Sequence, residues 1–290
     1  MNRLETYGRM FRLLGLQWWA RRTTPRPNIR VTYTHEVKTQ YLENFESLVV
    51  HLKEIRGFVT PGEFFEFYRG GFSPSGPSIL MTFDDGRMSS YTAAKKILSP
   101  RGIKAIFFVP TEVLELKTHE QMKHFLIHNV NGGTPPPWPM DEEDYLVLNA
   151  DAIRDLVADG HLVLPHTHSH VNLKDIQDEA AAKRELSEPK RILADLLHRE
   201  IPAMSIPVGT DRQGGAYAYR KIRETYEFCF TALAGANSRV TDPYYLNRDC
   251  FSPTFSWSYA AMVMGGAYDV YYRMKMHRLK KLTSDETREA

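Results

Sequence analysis

A short apolar run that ends in paired carboxylates constrains this chain more than any other feature. Residues 79–83 are apolar and rich in β-prone side chains, and Asp84, Asp85 and Gly86 follow them directly. Such a run is typical of a buried strand. Because α/β folds carry their chemistry at the carboxyl ends of parallel strands, the pattern predicts that Asp84 and Asp85 lie at a functional edge of a sheet.

Two adjacent carboxylates repel each other, and a divalent cation beside them would relieve that repulsion. Further along the chain His166, His168 and His170 stand within five positions. His166 and His170 are four apart, which suits one face of a helical turn and leaves His168 pointing elsewhere. The residues predict a three-ligand site of Asp85, His166 and His170 with one position open to water, and the other carboxylate beside it as a base. An ordinary Asx turn and a chance histidine cluster on a loop are the structural alternatives.

These two segments resemble the first and second motifs of the polysaccharide deacetylases, also called NodB-homology or carbohydrate esterase family 4 enzymes. The resemblance extends over about 31–251 and implies an α/β fold, a distorted (β/α)7-type barrel. It implies that Asp84 is the general base and that Asp85, His166 and His170 hold the metal. Zinc fits this ligand set best, although cobalt, nickel or iron would bind similar ligands.

The family's third motif is incomplete here. It has an Arg two residues before a Pro, whereas Ser205 stands two residues before Pro207. The residue after the Pro, Val208, can still offer its backbone N–H to an oxyanion, because that role needs no particular side chain. A plain turn is the alternative. Pro207 is a candidate contact for the substrate.

The family's last motif, a Leu-x-His near the carboxyl end, has no match after Phe251. The segment Tyr33-Thr34-His35 instead resembles the amino-terminal segment of the permuted branch that deacetylates poly-N-acetylglucosamine, which implies that His35 is the general acid. A histidine suits proton transfer because its pKa lies near the working pH. A structural histidine at a strand end is the alternative.

The segment around Arg248 resembles the Leu-Pro-Arg segment of the same branch. Arg248 is therefore a candidate to replace the missing Arg by hydrogen-bonding Asp84, which would orient the base and keep it ionised. An exposed Arg in a loop is the alternative.

Composition bounds these interpretations. The chain has 290 residues, of which 42% are hydrophobic and 25% charged, enough for one barrel-sized domain. We expect a deacetylase domain at 29–257, an amphipathic basic segment at 1–28, and a C-terminal helix with a basic tail at 258–290. A net charge of +2 does not suggest nucleic acid as a partner. Cys229 and Cys250 give no sign of a disulfide framework and are expected to be buried thiols.

Neither a secretory leader nor an apolar stretch long enough to span a membrane stands out, which favours a cytoplasmic location. Apolar and aromatic residues recur at helical spacing among arginines in 1–28, and 259–281 reads as a helix with a basic finish. Both segments fit peripheral contact with the inner membrane face or packing against the barrel.

A long excursion at 114–148 contains a run of Gly and Pro residues that breaks helix and strand. Loops of this length in compact domains are usually functional or mobile. Its Trp138 is a candidate to stack on a sugar ring, with a buried anchor as the alternative.

The resemblance implies a metal-dependent hydrolase that removes an N-acetyl or N-formyl group from an amino sugar in a cell-surface glycan or its lipid-linked precursor. A carbohydrate O-acetyl esterase would use the same residues. A catalytically silent glycan-binding relative would explain the missing Arg, and a non-sugar amidase of the same superfamily is a third alternative.

Overall fold

The computed structural model describes residues 26–135, 140–212 and 215–284, in which strands and helices alternate along most of the chain. The strands are β1 (Asn28–Thr34), β2 (Gly57–Phe58), β3 (Ser78–Phe83), β4 (Ala105–Val109), β5 (Leu162–Pro165), β6 (Ala203–Ser205), β7 (Phe228–Phe230), β8 (Ala236–Ser238) and β9 (Asp249–Cys250). The α-helices are α1 (Leu42–Ile55), α2 (Pro61–Arg69), α3 (Met88–Ala93), α4 (His119–Phe125), α5 (Ala150–Ala158), α6 (Glu179–Ala182), α7 (Glu188–Leu197), α8 (Ala216–Thr225), α9 (Trp257–Met264) and α10 (Asp269–Ser284).

The main sheet has the order β5-β4-β3-β1-β8. Neighbouring strands from β5 to β1 are parallel, β9 pairs in parallel with the end of β1, and β8 is antiparallel to its start. β2 adds to β3, while β6 and β7 form a separate parallel pair. Because the parallel strands share one direction, the residues that follow β1, β3 and β5 meet at one edge of the sheet.

The strand predicted before the paired carboxylates is confirmed as β3. Every residue of β3 and of its neighbour β4 is buried. Continuous apolar runs of this kind are typical of parallel strands covered on both faces. The core therefore surrounds the strand that carries Asp84 and Asp85, and holds their backbone rigidly.

The helix before the histidine motif is α5, which Asn149 caps by accepting a hydrogen bond from the N–H of Ala152. Its Ile153 and Leu156 are fully buried. Gly160 has a φ of 87°, so it ends the helix in a conformation that favours glycine. The chain then enters β5 toward His166.

The excursion at 114–148 is more regular than predicted. It contains α4, which begins with a capping box between Thr118 and Gln121, and two further turns at Leu126–Val130 and Glu142–Tyr145. The expectation of a loop was wrong for these residues because local caps and turns outweigh the effect of the Gly and Pro run. Trp138, the predicted sugar contact, lies outside the described residues.

The C-terminal region forms two helices instead of the single one predicted. α9 and α10 are separated at Gly265 and Gly266, and Gly266 has a φ of 85°. The buried Arg30 of β1 bonds Asp269 of α10 and Asp249 of β9, each at 2.6 Å, which fixes α10 against the sheet. The boundaries at 28 and 257 stay predictions, and residues 1–25 of the amphipathic segment lie outside the described part of the chain.

Among the described residues no helix is both long and apolar enough to cross a bilayer.

Cys229 is buried as predicted, and burial raises the pKa of its thiol to about 12. The same prediction was wrong for Cys250, which is exposed because it lines a large cavity at the site edge of the sheet.

Candidate active site

The three predicted metal ligands converge at the edge where β3 and β5 end. Ligand atoms of Asp85, His166 and His170 all lie within 4.8 Å of one another, and all three residues are buried. The Nε2 atoms of His166 and His170 are 3.7 Å and 3.3 Å from Oδ1 of Asp85. One carboxylate and two imidazoles whose ligand atoms converge in this way can hold a metal ion.

Hydrogen bonds fix the tautomer of both histidines. Nδ1 of His166 is 2.9 Å from the carbonyl oxygen of Ser205, and Nδ1 of His170 is 3.1 Å from that of Asn129. Because a carbonyl only accepts, each Nδ1 carries the proton, and the lone pair on each Nε2 is directed toward Asp85. Burial lowers the pKa of His166 to about 4, which keeps its ring neutral.

The carboxylate of Asp85 completes the fit to a divalent cation. Its Oδ1 is buried and has no hydrogen-bond donor among the described residues, which is costly for a carboxylate unless a cation is present. Burial opposes its ionisation, but neighbouring groups, His35 first and Arg87 among them, hold the pKa of Asp85 well below its usual range. The residues present therefore suit zinc or a similar transition metal.

The segment from His166 to His170 is not the helical turn that its spacing predicted. It is an irregular loop in which Thr167 and His170 both have a φ of 61°. This left-handed conformation is uncommon outside glycine, and most of all for a β-branched residue. The two rings converge because the loop turns through these residues. The predicted helical geometry was therefore wrong, while the assignment of the ligands stays a prediction that this convergence supports.

A tight turn aims the two carboxylates in different directions. Asp85 and Gly86 have φ values of 69° and 64°, and a Cβ on Gly86 would lie 3.0 Å from a methyl group of Val109. Only glycine fits this position without strain. The N–H of Asp84 bonds the carbonyl oxygen of Thr34, which anchors the start of the turn to β1.

The predicted hydrogen bond between Arg248 and Asp84 is present. Nη1 and Nη2 of Arg248 lie 2.7 Å and 2.9 Å from the two carboxylate oxygens of Asp84. Burial disfavours the charge on Asp84, but the nearby guanidinium of Arg248 lowers the pKa of Asp84 below its ordinary value. The carboxylate is therefore ionised and fixed in orientation, as a general base requires.

Arg248 is fully buried, and every one of its five N–H donors has an acceptor. Besides Asp84 it bonds the carbonyl oxygen of Thr231 at 2.8 Å, the hydroxyl of Thr82 at 3.1 Å and the hydroxyl of Ser205 at 2.7 Å. Ser205 is the residue found where the family's third motif has its Arg. The small side chain of Ser205 leaves room for the guanidinium of Arg248, which comes from another part of the chain. The alternative interpretation of Arg248 as an exposed loop residue was therefore wrong.

The segment after β6 forms one wall of the cavity. Val208 is 52% exposed, has a φ of 59° and lines the cavity, and among the described residues its N–H has no acceptor. A free N–H at this place is available to an oxyanion. Pro207 is buried, and Ile206 and Val208 stand in the wall instead, so the structure gives no support to Pro207 as a substrate contact.

His35 follows β1 and is exposed at the mouth of the site. It lines the same cavity as Asp84, Asp85 and Val208, a space of about 1090 Å³. Its ring packs edge-on to Tyr33 with the centroids 5.4 Å apart. His35 thus shares a cavity with the predicted ligands, and its role as the acid for the leaving group stays a prediction.

Two buried cations in this cavity escaped the sequence interpretation. Arg87 lies 3.5 Å from the carboxylate of Glu36 and 3.3 Å from the carbonyl oxygen of Asp144, and Lys38 lies 2.9 Å from the carboxylate of Asp144. The position of Arg87, directly after the Asp-Asp-Gly turn, is the signal that could have identified it. Nothing in the local sequence marks Lys38.

A protein-family model and a related bacterial protein both match this chain. Residues 73–223 match the family model described as polysaccharide deacetylase. The protein YxkH of Bacillus subtilis (strain 168), whose name refers to polysaccharide deacetylation, is 26% identical over 188 residues, which cover 64% of this chain and 55% of that protein. This chain therefore spans about half the length of that relative.

Three solved structures share the fold. The deacetylase PplD of Streptococcus pyogenes, in complex with acetate, is 18% identical, with a TM-score of 0.64 over 83% of this chain and 99% of that one. IcaB of Ammonifex degensii is 22% identical, with a TM-score of 0.61 over 82% and 97%. The BpsB deacetylase domain of Bordetella bronchiseptica is 14% identical, with a TM-score of 0.59 over 79% and 98%. These likenesses confirm the predicted distorted (β/α)7-type barrel.

Proposed function

The chain belongs to the polysaccharide deacetylase family, and we propose that it removes an N-acetyl or N-formyl group from an amino sugar by metal-dependent hydrolysis. One observation carries the proposal. The Nε2 lone pairs of His166 and His170 and the unpaired Oδ1 of Asp85 face a single point, and an ionised Asp84 lies beside them in the same cavity.

Asp85, His166 and His170 would hold the cation, and the chemistry it supplies when bound is Lewis acidity toward water and toward the acyl carbonyl. Asp84 accepts the proton of the attacking water. Arg248 keeps the Asp84 carboxylate ionised and aimed, because two parallel hydrogen bonds fix both of its oxygens.

The remaining steps concern the oxyanion and the leaving group. The N–H of Val208 donates to the oxyanion that forms when water attacks the carbonyl. His35 donates a proton to the nitrogen of the departing amine. An amine is a poor leaving group without this proton, whereas an alcohol departs more readily, so the need for His35 separates amide from ester hydrolysis.

The proposed substrate is an N-acylated sugar in a cell-surface glycan or, in preference, its lipid-linked precursor. The exposed side of α10 supports contact with a lipid surface. Its Tyr271, Met274 and Leu282 are 46%, 64% and 44% exposed, and Arg273 and Lys281 lie exposed beside them, which is complementary to anionic headgroups. Cytoplasmic placement, at the inner membrane face, is part of the same proposal.

Vesicles test the membrane part separately. Sedimentation with phosphatidylglycerol vesicles should carry down the protein, and Met274→Glu with Leu282→Glu should leave it in the supernatant. Absence of any binding by the unaltered chain would remove the proposal of membrane contact without touching the chemistry.

The test of the reaction is release of acetate and formate from N-acylated amino-sugar oligomers and lipid-linked saccharides, with and without added zinc or cobalt. We expect metal-dependent release that Asp84→Asn abolishes and His35→Ala strongly reduces. Release of acetate by the unaltered chain from O-acetylated sugars but not from N-acylated ones, with little loss in His35→Ala, would instead indicate an esterase. Metal binding with no release from any substrate would indicate a glycan-binding relative.

A further inference from the structure

A buried carboxylate from a distant helix holds the loop that carries the two histidines. Oε2 of Glu185 accepts the backbone N–H groups of His168 and Ser169 at 3.1 Å and 3.0 Å. Its Oε1 accepts the hydroxyl of Ser169 at 2.9 Å and Nε of Arg184 at 2.8 Å. Glu185 is 1% exposed, so these bonds are made away from water. We propose that Glu185 is a positioning residue for the metal site.

The loop needs such support because its own backbone does not favour the observed shape. Thr167 and His170 have left-handed φ values on either side of the two N–H groups that Glu185 binds. Residues in this region persist only where surrounding contacts determine the conformation. Without the carboxylate, two buried N–H groups would lose their acceptor, and the loop would relax toward another conformation.

The support is selective for one of the two histidines. His166 is also held by β4 and β6, since its own N–H bonds the carbonyl oxygen of Val109 and its ring bonds that of Ser205. The N–H groups of Thr111 and Glu112 bond the carbonyl oxygens of Thr167 and His168, which precede the last turn of the loop. His170 comes after all of these contacts. Its ring bonds the carbonyl oxygen of Asn129, and Nδ2 of Asn129 bonds the carbonyl oxygen of Ser169. Loss of Glu185 should therefore displace His170 more than His166.

Glu185 and Asn129 both lie in wide helical turns. The N–H of Glu188 bonds the carbonyl oxygen of Lys183, five residues back, and the N–H of Asn131 bonds that of Leu126 in the same way. Such π-type turns occur often at functional sites because they redirect side chains that a regular helix would place elsewhere. Here each turn presents one residue to the same loop.

The inference rests on the proposed function, and its test separates the two. Zinc affinity of the full chain is measured by competition with a chromophoric chelator, and the d–d absorption of bound cobalt reports the coordination geometry. Glu185→Gln keeps the side-chain length and one hydrogen-bond acceptor, whereas Glu185→Asp keeps the charge but is one methylene too short to reach the loop. Glu188→Ala is the control, because it removes a carboxylate that bonds only the exposed side chain of Arg191 among the residues described.

We expect Glu185→Asp to weaken zinc binding at least 10-fold and to alter the cobalt spectrum. Glu185→Gln should weaken zinc binding less, and Glu188→Ala should leave zinc binding unchanged. Melting of the metal-free proteins shows whether each variant folds. If Glu185→Asp does not fold, Glu185→Gln carries the test. Asn129→Ala, which removes the side-chain bond to the carbonyl oxygen of Ser169, is then the comparison for a second contact to the same loop.

Unchanged zinc affinity in Glu185→Asp, or a larger loss in Glu185→Gln than in Glu185→Asp, would overturn the inference. If the unaltered chain bound neither zinc nor cobalt, the proposed function itself would fail, and the inference with it.

Discussion

Arg248 and Asp84 form a two-point ion pair inside the protein, although 164 residues separate them in the chain. The pair is fully buried, and the same guanidinium also bonds Ser205, where the family's third motif has its Arg. In this chain the guanidinium that pairs with the base therefore comes from a different position in the sequence.

Arg248→Lys should reduce turnover roughly 100-fold, because a lysine ammonium cannot bind both oxygens of Asp84 and the base would be misplaced. Arg248→Ala should in addition lower the free energy of unfolding by about 3 kcal/mol, since it leaves a buried carboxylate without its partner. Acetate release and urea denaturation measure the two effects. Arg239→Lys, which alters an exposed arginine elsewhere, is the control, and wild-type turnover in Arg248→Lys would contradict the assigned role.

Val208→Gly should keep activity and raise the free energy of unfolding by about 1 kcal/mol, because it relieves a β-branched residue from a left-handed conformation and leaves the N–H in place. Gly209→Ala is the contrasting change. A Cβ there would lie 2.5 Å from the backbone nitrogen of Ala232, so it should lower both stability and activity. Thermal unfolding and acetate release are the measurements. Loss of activity in Val208→Gly would show that the side chain itself takes part.

Removal of divalent metal with dipicolinate should abolish turnover and lower the melting temperature, and added zinc should restore both. Binding to the folded state alone stabilises it by about 2.7 kcal/mol at a metal concentration 100 times the Kd. Asp85→Ala should melt at the same temperature with and without zinc, because it lacks one of three ligands. Asp151→Ala, at an exposed carboxylate on α5, is the control. A zinc-dependent shift in Asp85→Ala equal to that of the unaltered chain would disprove the site.

Stability should rise with pH between about 4 and 6.5 in part because of His161. Burial, and then the charge of Lys104, lowers the pKa of His161 to about 4, and its Nδ1 accepts the N–H of Ala105. The unfolded chain therefore binds more protons than the folded one in this window, so acid favours unfolding, by up to about 3 kcal/mol. His161→Asn keeps an acceptor but not the titration.

The measurement is urea denaturation of the unaltered chain and of His161→Asn at several pH values. The difference in free energy of unfolding between the two should narrow as the pH falls from 6.5 to 4, since other titrating groups are common to both proteins. A difference that stays constant across this range would show that His161 does not contribute.

The sequence by itself determined the elements that depend on neighbours in the chain. The apolar run before Asp84 and the set of candidate ligand residues could both be identified, because burial periodicity and side-chain chemistry are local properties. The family resemblance added the roles of His35 and Val208, and Arg248 as a candidate partner of the base.

Tertiary structure alone decided how these residues meet. The spacing of His166 and His170 suggested a helical turn, yet the loop takes left-handed values that Glu185 and Asn129 stabilise from two other segments. Arg248 was a candidate through the resemblance alone, and packing places it against Asp84 and Ser205. Local sequence cannot specify such contacts, because a buried charge or a strained turn is stable only when distant groups supply its hydrogen bonds.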